Sequence, residues 1–241
     1  IQSVKIPVPL EKINGILKRE RVFMCKLEPE TRLSDGQGGR VEEWKKYGFR
    51  QDNSPLLGTK TLRVDLRPSE ETIFNSSKKD ARYCIRQATN LKSQTRLPDG
   101  QVSINNFDKF YEAWRESARR KHLWIPSDKD YRALVESFDK NWFCITIDGL
   151  AGAVILLYKK AAFYYYAGAT SQGNKLNLPY LVVWEAMKEA KRRGVRVWDF
   201  EGIYDSRWPN KGWEGFSHFK KSFGGVEIEY PGSFVKWRMP I

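Results

Sequence analysis

No stretch of this sequence approaches the roughly 20 consecutive apolar residues that a bilayer span requires. Its opening, Ile1 to Arg21, interleaves Lys, Glu and Pro with apolar residues and lacks the continuous hydrophobic centre of a signal peptide. Both absences point to the cytoplasm. Cysteine is scarce: Cys25, Cys84 and Cys144 are odd in number and far apart, which fits reduced structural thiols and neither a disulfide framework nor a zinc knuckle. Histidine is scarcer still, with only His122 and His218. A metal site would need Asp or Glu ligands, and none show a ligand spacing, so no metal is expected. The chain also lacks GxxxxGK(S/T), GxGxxG and GxSxG, which argues against phosphate-cradling loops and a nucleophile elbow.

What is present describes a packed, basic protein. Of 241 residues, 41% are hydrophobic and 14% aromatic, with nine Trp, enough for one large domain or two small ones with real cores. The formal net charge of +13 calls for a polyanionic partner: nucleic acid, an anionic membrane surface or a phosphorylated substrate.

Leu10, Ile13 and Leu17 suggest a short helix, 21–27 a strand and 29–39 a turn-rich polar loop. Residues 60–66 read as another strand. Pro68 and Ser69 open a long helix reaching Thr89, with Ser as N-cap and two glutamates in the first turn. Phe107, Phe110, Tyr111, Trp114 and Ala118 fall at the helical period, and that helix ends in Arg119, Arg120 and Lys121. Ser127 and Asp130 form a capping-box pattern. Residues 141–166 read as a three-stranded meander turning at Asp148-Gly149 and Lys159-Lys160. A helix over 178–193 stops at Gly194, and a buried strand covers 195–200. A Trp- and Gly-rich loop over 201–213 leads to a short helix at 214–222, then the Gly224-Gly225 break and a final hairpin through Pro231-Gly232.

The meander, helix, strand, helix and strand at the end follow the order of the acyl-CoA N-acyltransferase (GNAT) fold. Trp198-Asp199-Phe200-Glu201-Gly202-Ile203, followed by Gly215 to Gly225 with Phe219-Lys220-Lys221-Ser222-Phe223-Gly224-Gly225, resembles the FemABX family's "DF-x-G-(I/V)" and "FK-x-x-FGG" ending. Phe23 to Pro29 is similar to its "FLR-h-E-P" strand, Thr61 to Leu66 to its "T-h-x-h-D-L" strand, and Lys79 to Ala88 to its "K-x-R-x-x-I-R-x-A" helix. Tyr164 to Ala169 and Leu181 to Ala190 resemble its "Y-h-x-x-A" strand and "W-x-A-h-x-x-A-K" helix. The likeness runs from about residue 22 onward.

The resemblance implies an α+β, GNAT-like mixed sheet flanked by helices, with a truncated second GNAT-like domain. Residues 65–226 would form the complete transferase domain, and 1–64 with 227–241 a remnant of the first. The chain begins only about 20 residues before the first matching strand, where family members carry many more, and Ser127 stands where relatives often place a phosphate-holding Arg. The implied activity is transfer of an amino acid from aminoacyl-tRNA to the stem peptide of a peptidoglycan precursor, UDP-linked or lipid-linked. No cofactor is implied, aminoacyl-tRNA being a co-substrate. Peripheral contact with an anionic membrane is a further expectation, and it comes from the +13 charge.

Lys220 is the candidate catalytic residue, stabilising the tetrahedral oxyanion formed when an amine attacks an ester. On composition alone it is a surface lysine beside Lys221; the FK-x-x-FGG resemblance favours the site. Phe219 next to it reads as substrate contact or core. Tyr131 and Tyr166 are carried over as substrate-cleft residues, Tyr131 hydrogen-bonding the precursor, though both also suit a core. Asp199 and Glu201 would orient the amine or accept its proton, or serve structure at a strand end. Lys78, Arg82 and Arg86, spaced i, i+4, i+8, with Lys79 beside them, make a cationic face for tRNA phosphates or simply a solvated face. Arg120 and Lys121 would hold a diphosphate or cap a helix dipole. Trp198, Trp208 and Trp213 would stack a sugar or adenine, or be buried.

Two rivals follow. An acyl-CoA-dependent GNAT enzyme would show an (R/Q)xxGx(G/A) pyrophosphate loop before the helix after the meander, where 171–177 reads Ser-Gln-Gly-Asn-Lys-Leu-Asn. A non-catalytic basic module binding RNA or a membrane would satisfy the charge alone.

Overall fold

The computed structural model describes residues 2–4, 10–29, 41–93 and 102–237. The loop read over 29–39 lies, apart from Pro29, outside the described residues. Two compact units emerge. The smaller comprises Ile1–Leu62, Glu201–His218 and Val226–Ile241; the larger comprises Arg63–Phe200 and Phe219–Gly225.

In the smaller unit, strands β1 (Gln2–Val4), β2 (Met24–Pro29), β3 (Arg50–Asp52) and β11 (Ser233–Trp237) form a four-stranded sheet ordered β1-β2-β11-β3. β11 runs antiparallel to β2, with Leu27 opposite Phe234 and Met24 opposite Trp237. Helix α1 (Leu10–Arg19) buries Leu10, Ile13 and Leu17, spaced for one helix face. These three join Cys25, Leu27, Trp44, Phe49 and Phe234 in one core. Trp44 belongs to helix α2 (Val41–Lys46) and meets the Phe234 ring edge-on at 4.5 Å.

The second sheet has seven strands, ordered β10-β4-β9-β8-β7-β6-β5. They are β4 (Lys60–Asp65), β5 (Val102–Ile104), β6 (Trp142–Ile147), β7 (Ala151–Tyr158), β8 (Ala161–Ala169), β9 (Val197–Gly202) and β10 (Val226–Glu229). The meander β6-β7-β8 is antiparallel; its first turn is closed by the Leu150 amide on the Ile147 carbonyl at 2.9 Å, and Asp148 and Gly149 at its centre are both at positive φ, 51° and 68°, as a type I′ turn demands. β8 then pairs parallel with β9. The β7–β8 register slips between Val154, opposite Tyr166, and Ile155, opposite Tyr164, leaving Tyr165 as the extra residue. This mixed sheet flanked by helices has the α+β, GNAT-like character expected.

Helix α5 (Phe107–Arg120) lies on the sheet where β7 and β8 carry glycine. A Cβ on Gly168 would come within 2.5 Å of the Trp114 backbone, and one on Gly152 within 3.0 Å of the Phe110 ring. Helix α6 (Asp128–Glu136) has Ser127 as its N-cap, accepting from the Asp130 amide at 3.2 Å, as its capping box predicts. Short α7 (Ser171–Lys175) leads into α8 (Leu178–Arg192), which is followed by Gly194 at φ 78°.

Two expectations are corrected. The single helix over 69–89 is two, α3 (Glu70–Ser76) and α4 (Lys79–Ser93). Ser76 donates its hydroxyl back to the Ile73 carbonyl at 2.7 Å, Ser77 shares its own between the Ile73 and Phe223 carbonyls, and Ser77 adopts an extended ψ of 152°, so side chains take over a carbonyl the helix would have used. The final hairpin is also absent: β10 and β11 belong to different sheets, with Gly232 at φ 91° between them.

Candidate functional site

The FK-x-x-FGG residues, Phe219–Gly225, belong to the larger unit and begin within helix α9 (Glu214–Lys221), and glycine geometry explains the motif's end. Gly224 and Gly225 have φ of 75° and 98°, and a Cβ on them would approach the carbonyl oxygens of Ser76 and Arg63 to 2.7 and 2.4 Å. Only glycine lets the chain pass so close to that backbone. Ser77 Oγ donates to the Phe223 carbonyl at 3.4 Å, and the Lys78 amide donates to the Ser222 carbonyl at 2.7 Å. Lys220, two residues before Ser222, is thereby brought close to the start of α4, where Lys78 and Lys79 are exposed. Lys220 itself is half-buried.

Phe219, also half-buried, meets the ring of Tyr180 on α8 edge-on at 4.8 Å and that of Phe223 at 5.4 Å. Burial, outweighing a hydrogen bond with Ser222, pushes the Tyr180 hydroxyl's pKa up. Phe219, Phe223 and Tyr180 thus form a small aromatic cluster next in the chain to Lys220.

The other expected phosphate-binding cations are partly engaged. Arg82 donates through one guanidinium nitrogen to the carbonyls of Asn75 and Ser77, which closes the end of α3. Arg86 lies over the Phe74 ring, 5.3 Å from its centre. Arg120 donates to the Ala169 carbonyl at 3.0 Å and approaches Glu116 at 3.6 Å, while Lys121 is the exposed C-cap of α5.

Tyr131 and Tyr166 come together, ring centres 5.2 Å apart, with Trp114 4.8 and 4.7 Å from each. Tyr131 is fully buried, and its hydroxyl finds no partner among the described residues. Burial drives that phenol's pKa far above its ordinary value. Tyr166 is half-buried at the margin of the same core. Asp199 is 4% exposed and accepts from Arg63 Nε at 2.7 Å. Glu201 is exposed, at φ 61°, and its carbonyl accepts from Thr61 Oγ1 at 2.7 Å.

Of the three tryptophans singled out, Trp198 is wholly buried against Tyr164 and Phe200 in the larger unit. Trp208 and Trp213 instead line a cavity of about 500 Å³ in the smaller unit, with Leu56, Leu57, Asp205 and Arg207. Its walls are braced from below. Glu28, 6% exposed, accepts from the Leu56 and Leu57 amides at 2.6 and 2.8 Å, fixing the 53–58 loop. Lys26 donates to the Ser54 carbonyl at 2.6 Å and pairs with Asp52.

On the cavity's other side, Asp205 accepts from Thr59 Oγ1 at 2.7 Å and from Arg207 at 2.6 Å, and Arg207 reaches the carbonyls of Tyr230 and Thr59. Burial alone would raise Asp205's pKa, but Arg207 and Thr59 more than offset it and hold the carboxyl below its ordinary range. Gly202, the glycine of the "DF-x-G" pattern, supports Trp213: a Cβ there would meet the indole at 2.7 Å. Thr59, Asp205, Arg207 and Glu28 escaped the sequence reading. The signals available were the alternating Asp205 and Arg207 just after the "DF-x-G-I" block and the glutamate of the "KLEP" strand.

The described residues hold no group of three or more His, Cys, Asp or Glu side chains placed to bind a metal ion. Nor is any described helix long and apolar enough to cross a membrane.

A model of the FemAB family matches residues 147–241, the span that contains β8, α8, β9 and the Lys220 segment. No curated protein matches the sequence. Among solved structures, FemX superposes with a TM-score of 0.74 at 15% identity, over 95% of this chain and 75% of that one. The L-PGS structure from Bacillus licheniformis follows the same fold at a TM-score of 0.57 and 10% identity, over 96% of this chain and 73% of that one. A tandem GNAT protein from the clavulanic acid biosynthesis pathway gives 0.54 at 10% identity, over 95% of this chain and 69% of that one.

Proposed function

We propose that this chain, a GNAT-like protein of the FemABX family, is an aminoacyltransferase that moves an amino acid from aminoacyl-tRNA onto the stem peptide of a peptidoglycan precursor. The observation that carries the reading is Lys220: half-buried beside Phe219 and tied through Ser222 to the basic start of α4, within the segment that matches the family.

The stem-peptide amine attacks the carbonyl carbon of the aminoacyl ester, forming the C–N bond and placing negative charge on the carbonyl oxygen. The Lys220 ammonium stabilises that oxyanion. Collapse breaks the C–O bond to the tRNA ribose, and the proton lost by the attacking amine goes to the departing ribose oxygen. The ester is already activated, so the step needs neither nucleotide hydrolysis nor a covalent enzyme intermediate. Lys78 and Lys79 supply exposed cations for tRNA phosphates. The Trp208–Trp213 cavity, with an apolar wall and a braced polar floor, suits part of the muramyl peptide, whether UDP-linked or lipid-linked.

The rival, acyl-CoA chemistry, depends on free amides before α8. In this chain the Gly173 amide donates to Thr170 Oγ1 at 3.0 Å and the Ser171 amide to the Glu116 carboxylate at 2.9 Å. A carboxylate at that position repels a pyrophosphate, which favours the tRNA reading.

The test is transfer of a labelled amino acid from charged tRNA to muramyl-pentapeptide acceptors, with RNase-treated and acetyl-CoA reactions alongside. RNase-sensitive labelling that falls about 100- to 1,000-fold in Lys220→Ala is expected. Consumption of acetyl-CoA without labelling would establish the rival reaction instead. Neither reaction, from folded protein, would leave a binding module.

A further inference from the structure

Helix α5 ends with its most basic stretch next to its most exposed apolar one. Residues 115–124 read RESARRKHLW, with four Arg or Lys against one acid. His122 sits at φ 54°, and the Leu123 amide returns to the Ala118 carbonyl at 2.9 Å, the six-to-one closure of a helix C-terminus. In such a closure an apolar residue at the Leu123 position commonly folds back on the helix. Here Leu123 is 61% exposed and Trp124 85%, the highest exposure among the large apolar side chains described.

The loop under this pair is anchored. Ile125 packs against the α5–α6 core, the Tyr111 hydroxyl donates to the Pro126 carbonyl at 3.1 Å, and Ser127 caps α6. The acids nearby are engaged: Glu116 with the Ser171 amide, Asp128 with Arg132, and Asp130 with Ser127. Arg119 and Lys121 are exposed. A fixed loop therefore presents an indole and an isobutyl group to solvent directly after the exposed cations Arg119 and Lys121.

We propose that this loop docks on an anionic bilayer surface, Trp124 and Leu123 entering the interface while Arg119 and Lys121 meet lipid phosphates. Indole rings favour the headgroup level, and basic residues next to them add attraction to anionic lipid. Base stacking would use the indole but has no role for Leu123, so a bilayer fits the pair better than single-stranded nucleic acid. The inference rests on the loop alone and stands apart from the reaction proposed above.

The test is co-sedimentation of the full chain with phosphatidylglycerol–phosphatidylcholine vesicles and with phosphatidylcholine vesicles, at low and high salt. The parent should bind the anionic vesicles and release at high salt. Leu123→Ser/Trp124→Ser should weaken binding more than about tenfold, and Arg119→Gln and Lys121→Gln about fivefold each. Tyr158→Ser, removing a 62% exposed ring elsewhere, should leave binding unchanged. All of these positions are exposed, and unchanged thermal melts will show that the variants fold. Parent-like binding by the double variant, or no preference of the parent for anionic vesicles, overturns the proposal. So does loss of affinity for an RNA hairpin with vesicle binding intact, which would make the loop a nucleic-acid contact.

Discussion

Asp199 on β9 accepts from Arg63 Nε on the neighbouring strand β4 at 2.7 Å, with 5% of the aspartate side chain and 22% of the arginine side chain exposed. Asp199 lies inside β9, not at the strand end that the sequence suggests, and the ion pair gives it a structural task besides the proton-handling one expected there. Asp199→Asn should destabilise the protein by about 1.5–3 kcal/mol, because it replaces a charge-assisted hydrogen bond in a mostly buried pair with a neutral one. A double-mutant cycle with Arg63→Gln, read by urea unfolding, should show strong coupling. A variant that keeps full stability but loses transfer would instead assign Asp199 to the chemistry.

Asp205 makes a pH-dependent prediction. Its folded pKa lies below the ordinary 3.8, so the stability it contributes is fully present above that value and is lost as pH falls through the lower folded one. Asp205→Asn should cost about 1–3 kcal/mol at neutral pH. Thermal melts of parent and variant should begin to approach each other below about pH 4 and converge as pH falls through the lower folded pKa. A constant difference down to pH 2 would mean that the carboxylate's charge is not what holds Thr59 and Arg207.

Tyr131 separates stability from activity. Its hydroxyl is buried without a partner among the described residues, so Tyr131→Phe should leave the melting temperature unchanged or raise it by the equivalent of about 1 kcal/mol. If transfer falls while stability holds, the hydroxyl meets the precursor during turnover. Unchanged transfer would leave Tyr131 as core alone.

Gly168→Ala should destabilise the larger unit by about 1–3 kcal/mol, since its Cβ would lie 2.5 Å from the Trp114 backbone. Chemical denaturation measures this directly. A neutral effect would show that α5 can shift off the sheet at little cost.

Much of this architecture was legible in the sequence because local chemistry and tertiary demand agree. Asp148-Gly149 turns where it reads as a turn, Ser127 caps where it reads as a cap, and the α5 apolar stripe is the buried one. The failures have physical causes. Ser76 and Ser77 break a helix by bonding to its Ile73 carbonyl, a competition that propensity does not register. The hairpin through Pro231-Gly232 had turn chemistry, but β11 pairs with β2 and β3 and not with β10. The site was legible only where spacing encoded it. Gly224, Gly225 and Gly202 are explained by backbone and ring contacts that no pattern along the chain reveals, and Glu28's two amides come from a loop 28 and 29 residues away.

The slip in the β7–β8 register sets a parity for the whole meander. Facing residues on paired strands point to the same side, and successive residues to opposite sides. Val154 and Ile155 are successive, so their partners Tyr166 and Tyr164 point oppositely, although an interval of two would ordinarily align them. One ring therefore joins Trp114 and Tyr131, and the other joins Trp198 and Phe200. Tyr165 is thus a spacer whose value lies in being one residue and not two or none. Its removal would deliver either Tyr164 or Tyr166 to the wrong side of the sheet, while a substitution there would leave the count intact.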